Sequence, residues 1–173
     1  MDYTEISALA SQAGFTCMGP LDPRTIELKE LVRQMCTKCH VYDKRWSCPP
    51  GCGTLDACRE RVAAYHQGIL VQTVGQLEDE FDGEGMMEAQ QLHKAHFEAL
   101  HKLLGAQNVL ALGAGSCMVC KVCSYPDEAC RFPERMVSSM EAYGMEVAQI
   151  CRANDMPYNH GKNTIAYTSC VLF

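Results

Sequence analysis

The sequence predicts an α/β fold, with α+β as its close variant: one sandwich of roughly four strands, flanking helices and two cysteine-rich metal-binding loops. Three observations carry that expectation. Helical and strand-like segments alternate without a clear linker, 47% of the 173 residues are hydrophobic, and two short runs hold most of the 12 cysteines. A chain of this length can bury one good core, so a single metal-binding domain is expected over residues 1–173. Strand order and direction stay open.

Taken in order, Tyr3 to Ala13 is weakly amphipathic, and Gly14 to Gly19 reads as short and extended. Pro23 to Met35 spaces Ile26, Leu28, Leu31, Val32 and Met35 mostly as a helix does, and the first cysteine run follows directly. Thr54 then reads as an N-cap, because its hydroxyl can accept an N–H left free in a first turn. Asp56 sits in that turn, and Gly68 lies just past the end near Gln67. Gly68-Ile-Leu-Val-Gln-Thr-Val reads as a buried strand. Asp79 to Glu88 is acidic and contains glycine, which predicts an exposed loop, and Met86 to Leu104 makes a long helix closed by Gly105. Asn108 to Leu112 is a further strand that runs into Gly113-Ala-Gly115 and the second cysteine run. Pro133 to Asn154 reads as helix broken at Gly144, and Thr164 to Phe173 alternates loosely enough to be a last strand.

Charge and segment composition exclude several classes of function. A net charge of -6 and a pI near 5.5 argue against nucleic acid, whose phosphates need a basic face. Met1 to Gly14 carries Asp2 and Glu5 and lacks the basic and apolar regions of a secretion signal. No uninterrupted apolar stretch is long enough to span a bilayer. These features predict a soluble, cytoplasmic protein without a membrane partner. Its thiols would then be kept reduced and available for metal, since disulfide frameworks serve mostly small exported domains.

The first run is Cys36-x2-Cys39-x8-Cys48-Pro49-Pro50-x-Cys52-x5-Cys58, and the second is Cys117-x2-Cys120-x2-Cys123-x6-Cys130. Thiolates at two-residue gaps converge on a small volume, and soft ligands so placed suit iron-sulfur clusters or zinc. The second run resembles the start of a bacterial ferredoxin loop, with Cys130 closing the site. Its last spacing is longer than in ferredoxins, so no ferredoxin fold is expected. Gly113 and Gly115 would let backbone N–H groups approach the site, whose negative charge they would stabilise.

In the first run, Cys36-x2-Cys39 supplies one ligand pair, Cys48 follows a span long enough to loop back, and Cys52 and Cys58 are further candidate ligands. Pro49 and Pro50 remove two backbone donors and fix the direction in which the chain turns away. Tyr42 and Trp46 are candidates either to shield this site from water or simply to pack. Lys38, Lys44, Arg45, Arg59 and Arg61 place positive charge near the expected anionic centre, or are solvated. His40, beside Cys39, is a candidate donor to a cluster sulfur. Cys17, Cys151 and Cys170 fall in predicted strands or a helix, where free cysteine is commonly a small buried hydrophobe. His93, His96 and His101 share a helix on which Lys94, Glu98 and Lys102 suggest a solvated face.

Five strings together resemble a family of predicted metal-binding proteins, domain of unknown function 2284. They are Cys36-Thr-Lys-Cys39, Trp46-Ser-Cys48-Pro-Pro with Tyr42, Gly115-Ser-Cys117-Met-Val-Cys120-Lys-Val-Cys123, Cys130-Arg-Phe-Pro133, and Ser139-Met-Glu-Ala-Tyr-Gly144-Met-Glu-Val147. Members occur chiefly in anaerobic bacteria and archaea, and the similarity covers most of the chain. The resemblance implies cysteine-bound metal, with iron-sulfur chemistry expected, and hands over no reaction. It also sharpens the choice at the first site. Some members carry only the cysteines matching Cys36, Cys39 and Cys48, which would leave one iron of a cubane open to a ligand.

Three functions follow as expectations. The leading one is an iron-sulfur redox protein with two 4Fe-4S clusters that exchanges electrons with a protein partner. The second is an enzyme whose open iron binds a small-molecule substrate, and the third is a zinc-stabilised interaction module.

Overall fold

The computed structural model describes residues 1–173 and is a mixed α/β fold in which a five-stranded sheet is flanked by five helices. In chain order the elements are α1 (Tyr3–Gln12), β1 (Cys17–Leu21), α2 (Glu30–Cys36), α3 (Leu55–Ala63), β2 (Gly68–Gln76), α4 (Gly83–Leu104), β3 (Leu110–Gly113), β4 (Ser138–Ser139), α5 (Val147–Ala153) and β5 (Thr164–Leu172). The strand order is β1-β2-β5-β3-β4, antiparallel throughout except for the β3–β4 pair.

Strand register divides the apolar residues between two faces. Leu70, Cys170 and Leu112 stand in one row across β2, β5 and β3, and Ile69, Val171 and Ala111 form the adjacent row pointing the other way. The first row faces a core made with Leu55 and Val62 of α3, Ile150 and Cys151 of α5, and Met140, Tyr143 and Met145. The second faces Ile6 and Ala10 of α1 and Phe97, Leu100 and Leu104 of α4. Because both faces are covered, Ile69-Leu70-Val71 reads as an unbroken apolar run. Each such aliphatic side chain contributes about 1.5–3 kcal/mol by leaving water.

Helix starts follow the capping chemistry. Asp2 and Glu5 form a reciprocal capping box on α1, and Thr54 accepts from the Ala57 N–H at the start of α3. Asp82 accepts from the Gly85 N–H, so α4 begins at Gly83 and takes in half of the expected acidic loop.

Two segments depart from their apolar periodicity. Pro23 to Met35 is not one helix: a 3₁₀ turn at Pro23–Thr25 is followed by extended chain in which Leu28 bridges Met145, and only then by α2. Pairing with Met145 outweighs local propensity here, and Leu31 and Met35 are left 70% and 67% exposed. Pro133 to Asn154 is likewise broken, into 3₁₀ turns at Pro133–Arg135 and Glu141–Tyr143, strand β4 and α5. Pairing of Ser138 and Ser139 with Leu112 and Gly113 supplies the fifth strand. Gly144, at φ 85°, turns the chain so that its carbonyl accepts from Lys29, and a Cβ there would stand 2.9 Å from the Lys29 carbonyl oxygen. No helix is long and apolar enough to cross a membrane.

Candidate metal centres

The first cysteine run leaves the end of α2 as a chain of tight turns. Backbone N–H groups of Cys39, Tyr42, Cys48 and Cys52 donate to the carbonyls of Cys36, Cys39, Arg45 and Cys48 respectively, so the segment winds on itself. Such winding points successive side chains inward. Cys36, Cys39 and Cys48 lie close enough for their charges to interact, and burial pushes the Cys36 and Cys48 thiols up from their ordinary value. Cys39 is the outermost of the three and is exposed, whereas Cys48 is buried.

Cys52 and Cys58 form a deeper pair. The Cys52 sulfur also approaches the Ala142 carbonyl at 3.6 Å and the Arg33 guanidinium at 3.8 Å. The neighbouring Cys52 thiol, with Arg33 and Arg61 close by, holds the Cys58 thiol below its ordinary value against the cost of burial, while Cys52 is raised.

The second run folds back onto the first, and polar contacts clamp them together. Arg45 Nη1 donates to the Cys117 carbonyl at 2.6 Å, the Cys117 N–H donates to Ser47 Oγ at 3.3 Å, and Trp46 Nε1 donates to the Glu128 carbonyl at 3.0 Å. Tyr125 donates to Asp43 at 2.8 Å and meets Trp46 edge-on at 4.9 Å between ring centroids. Gly51 makes this approach possible, since a Cβ there would come within 2.7 Å of the Arg45 carbonyl and 3.0 Å of the Tyr125 ring. Cys117, Cys120, Cys123 and Cys130 all line one small cavity at this seam, walled by Arg45, Trp46 and Phe132. Across the whole chain, no three Cys, His, Asp or Glu side chains converge tightly enough to enclose a single ion.

Cationic groups crowd both sets. Arg33 is 9% exposed and forms no ion pair with a carboxylate; its polar contacts are Cys52 Sγ and the Gly53 carbonyl, the latter at 2.8 Å. Arg61 donates to the Cys52 carbonyl at 2.9 Å and to the Tyr143 hydroxyl at 2.8 Å. A buried guanidinium is costly without a counter-charge, and the sulfurs are the groups placed to supply one. This donor set, soft thiols beside buried cations, fits an anionic cysteine-ligated metal group.

Other candidates sit elsewhere. Arg59 pairs with Asp56, and Lys44 donates to the His40 carbonyl. The exposed His40 ring makes no hydrogen bond. Cys151 and Cys170 are fully buried in the core, and Cys17 contacts Gln72. The expected solvated histidine face is corrected at His93, which is buried and joined to Thr73 and Ser169 at 3.1 and 2.7 Å. Burial lowers its pKa to about 4, so it is neutral. Trp46 walls the second site instead of the first, and Arg33 escaped the sequence reading altogether. Its signal was position: one helical turn before Cys36, on the same side of α2.

A family model described as "Predicted metal-binding protein (DUF2284)" matches residues 19–173, which takes in both cysteine runs. No curated protein and no solved structure matches the chain.

Proposed function

The chain belongs to the DUF2284 family of predicted metal-binding proteins, and from that premise we propose that it is an iron-sulfur redox protein with two 4Fe-4S clusters. One is assigned to Cys117, Cys120, Cys123 and Cys130, and the other to Cys36, Cys39 and Cys48 with Cys52 or Cys58 as fourth ligand. The observation that carries this reading is the shared cavity of the four second-run thiols, next to a first set beside which Arg33 and Arg61 place positive charge. Tetrahedral zinc would draw its thiolates to within about 3.8 Å of one another, given Zn–S bonds of about 2.3 Å, whereas a polynuclear cluster would hold them further apart, so the metal–sulfur geometry of the loaded protein separates the two.

Such a cluster, when bound, supplies a reversible one-electron site. The chain's own residues set its surroundings. Arg33, Arg45 and Arg61 direct positive charge at the two loops, and Trp46 with Tyr125 keeps water from the seam. Ser47 links the two sets, standing 3.8 Å from Cys48 Sγ and accepting from the Cys117 N–H. That short route favours exchange of electrons between the centres, and with a protein partner, over independent structural roles.

A second reading has its own support. Cys52 and Cys58 pair with each other, leaving Cys36, Cys39 and Cys48 as a trio with Cys39 exposed. Three ligands would leave one iron open to a small molecule, which is an enzyme's arrangement. Serine substitutions test both readings in anaerobically purified protein. Cys120→Ser together with Cys123→Ser should remove about half of the iron; full retention would overturn the second-site assignment. Loss of the first cluster's paramagnetic signal in Cys52→Ser or Cys58→Ser would identify the fourth ligand, whereas its survival in both would select the open iron.

A further inference from the structure

A second, much larger cavity of about 750 Å³ lies between α4 and the loop that leaves β3, within the size range of small-molecule sites. Phe97, Val137, Met118 and Val119 give it apolar walls, and Gly113 and Gly115 form part of its floor. The charged wall groups are Lys94, Lys102 and Arg135 against Glu98 and Glu134, a net positive lining in a chain of net charge -6. Arg135 and Glu98 neutralise each other at 2.9 Å, whereas Lys94 and Lys102 enter no ion pair. The Lys94 ammonium lies over Gly115, 3.8 Å from where a Cβ would stand, so it faces open backbone instead of a side chain. Cys117 lines this cavity as well as the small one, which puts an occupant against the second cysteine loop.

We infer that this cavity binds a small organic carboxylate. Its anionic head sits at Lys94 beside Gly115, and its apolar body lies along Phe97 and Val137. An ammonium without a carboxylate partner, next to an apolar wall, recognises that combination: charge-assisted hydrogen bonding holds the head and burial holds the body. The inference stands on α4 and the loop after β3 and does not require either cluster.

Calorimetric titration of anaerobically purified, metal-loaded full chain with phenylbutyrate tests it, alongside the uncharged phenylbutanamide. The carboxylate should bind saturably at one site and the amide at least about tenfold more weakly. Lys94→Glu should weaken phenylbutyrate by about tenfold or more, while Lys94→Arg stays within about threefold. Val137→Trp, which fills the cavity, should abolish binding. Absence of saturable binding, equal affinity for acid and amide, or an unchanged affinity in Lys94→Glu would overturn the inference. The acid–amide comparison needs no variant, and iron content measured on the same samples separates this outcome from failure of the cluster reading.

Discussion

Arg33→Met removes the buried positive charge nearest the first cysteine set while keeping much of the side-chain volume. Arg33 Nη2 stands 3.8 Å from Cys52 Sγ, at which separation two unit charges interact by about 4 kcal/mol at an effective dielectric near 20. A cluster spreads its charge over several atoms, so about half of that, roughly 2 kcal/mol, is the share felt by one added electron. With a tenfold change in equilibrium equal to about 59 mV for a single electron, the first centre should become harder to reduce by roughly 85 mV. The variant also loses the hydrogen bond to the Gly53 carbonyl and should be less stable by about 2 kcal/mol. Anaerobic redox titration followed by paramagnetic resonance would read the two proposed centres separately. Arg33→Lys, which keeps the charge, should move the potential far less than Arg33→Met. A folded Arg33→Met protein with the potential of the first centre unmoved would refute the reasoning that this guanidinium is the counter-charge of the sulfurs.

Two further predictions concern the scaffold. His93 is held neutral with a pKa of about 4, so between about pH 6.5 and 4 the unfolded chain takes up a proton that the folded one refuses. The His93 contribution should therefore lower stability by about 3 kcal/mol as pH drops through that window and stay constant above it; the difference between the wild-type chain and His93→Gln in urea unfolding at several pH values isolates it. Gly144→Ala forces a side chain into a left-handed φ of 85° against the Lys29 carbonyl, and should cost about 2 kcal/mol or more, read as a lower urea midpoint.

What was legible in the sequence is what is local. Thr54 and Gly105 mark helix ends because their chemistry acts within one turn, and Ile69-Leu70-Val71 announces a strand covered on both faces. The cysteine spacings picked out Cys117, Cys120, Cys123 and Cys130, which line one small cavity, whereas Cys58 stands within α3. What was not legible depends on partners far along the chain. Leu28 leaves its helical pattern for Met145, and Ser138-Ser139 becomes strand because β3 offers an open edge. Trp46 lines the second run's cavity because Glu128 and Tyr125 fix its ring there, and none of those contacts is visible in spacing. His93 looked solvated beside Lys94, yet Thr73 and Ser169 draw it inward.

The most direct test of the central claim is quantitation of iron and acid-labile sulfide in protein purified without oxygen. Two clusters predict about eight irons and about eight sulfides per chain, with visible bands that bleach on reduction. A colourless protein carrying about two zinc ions and no sulfide would contradict the account.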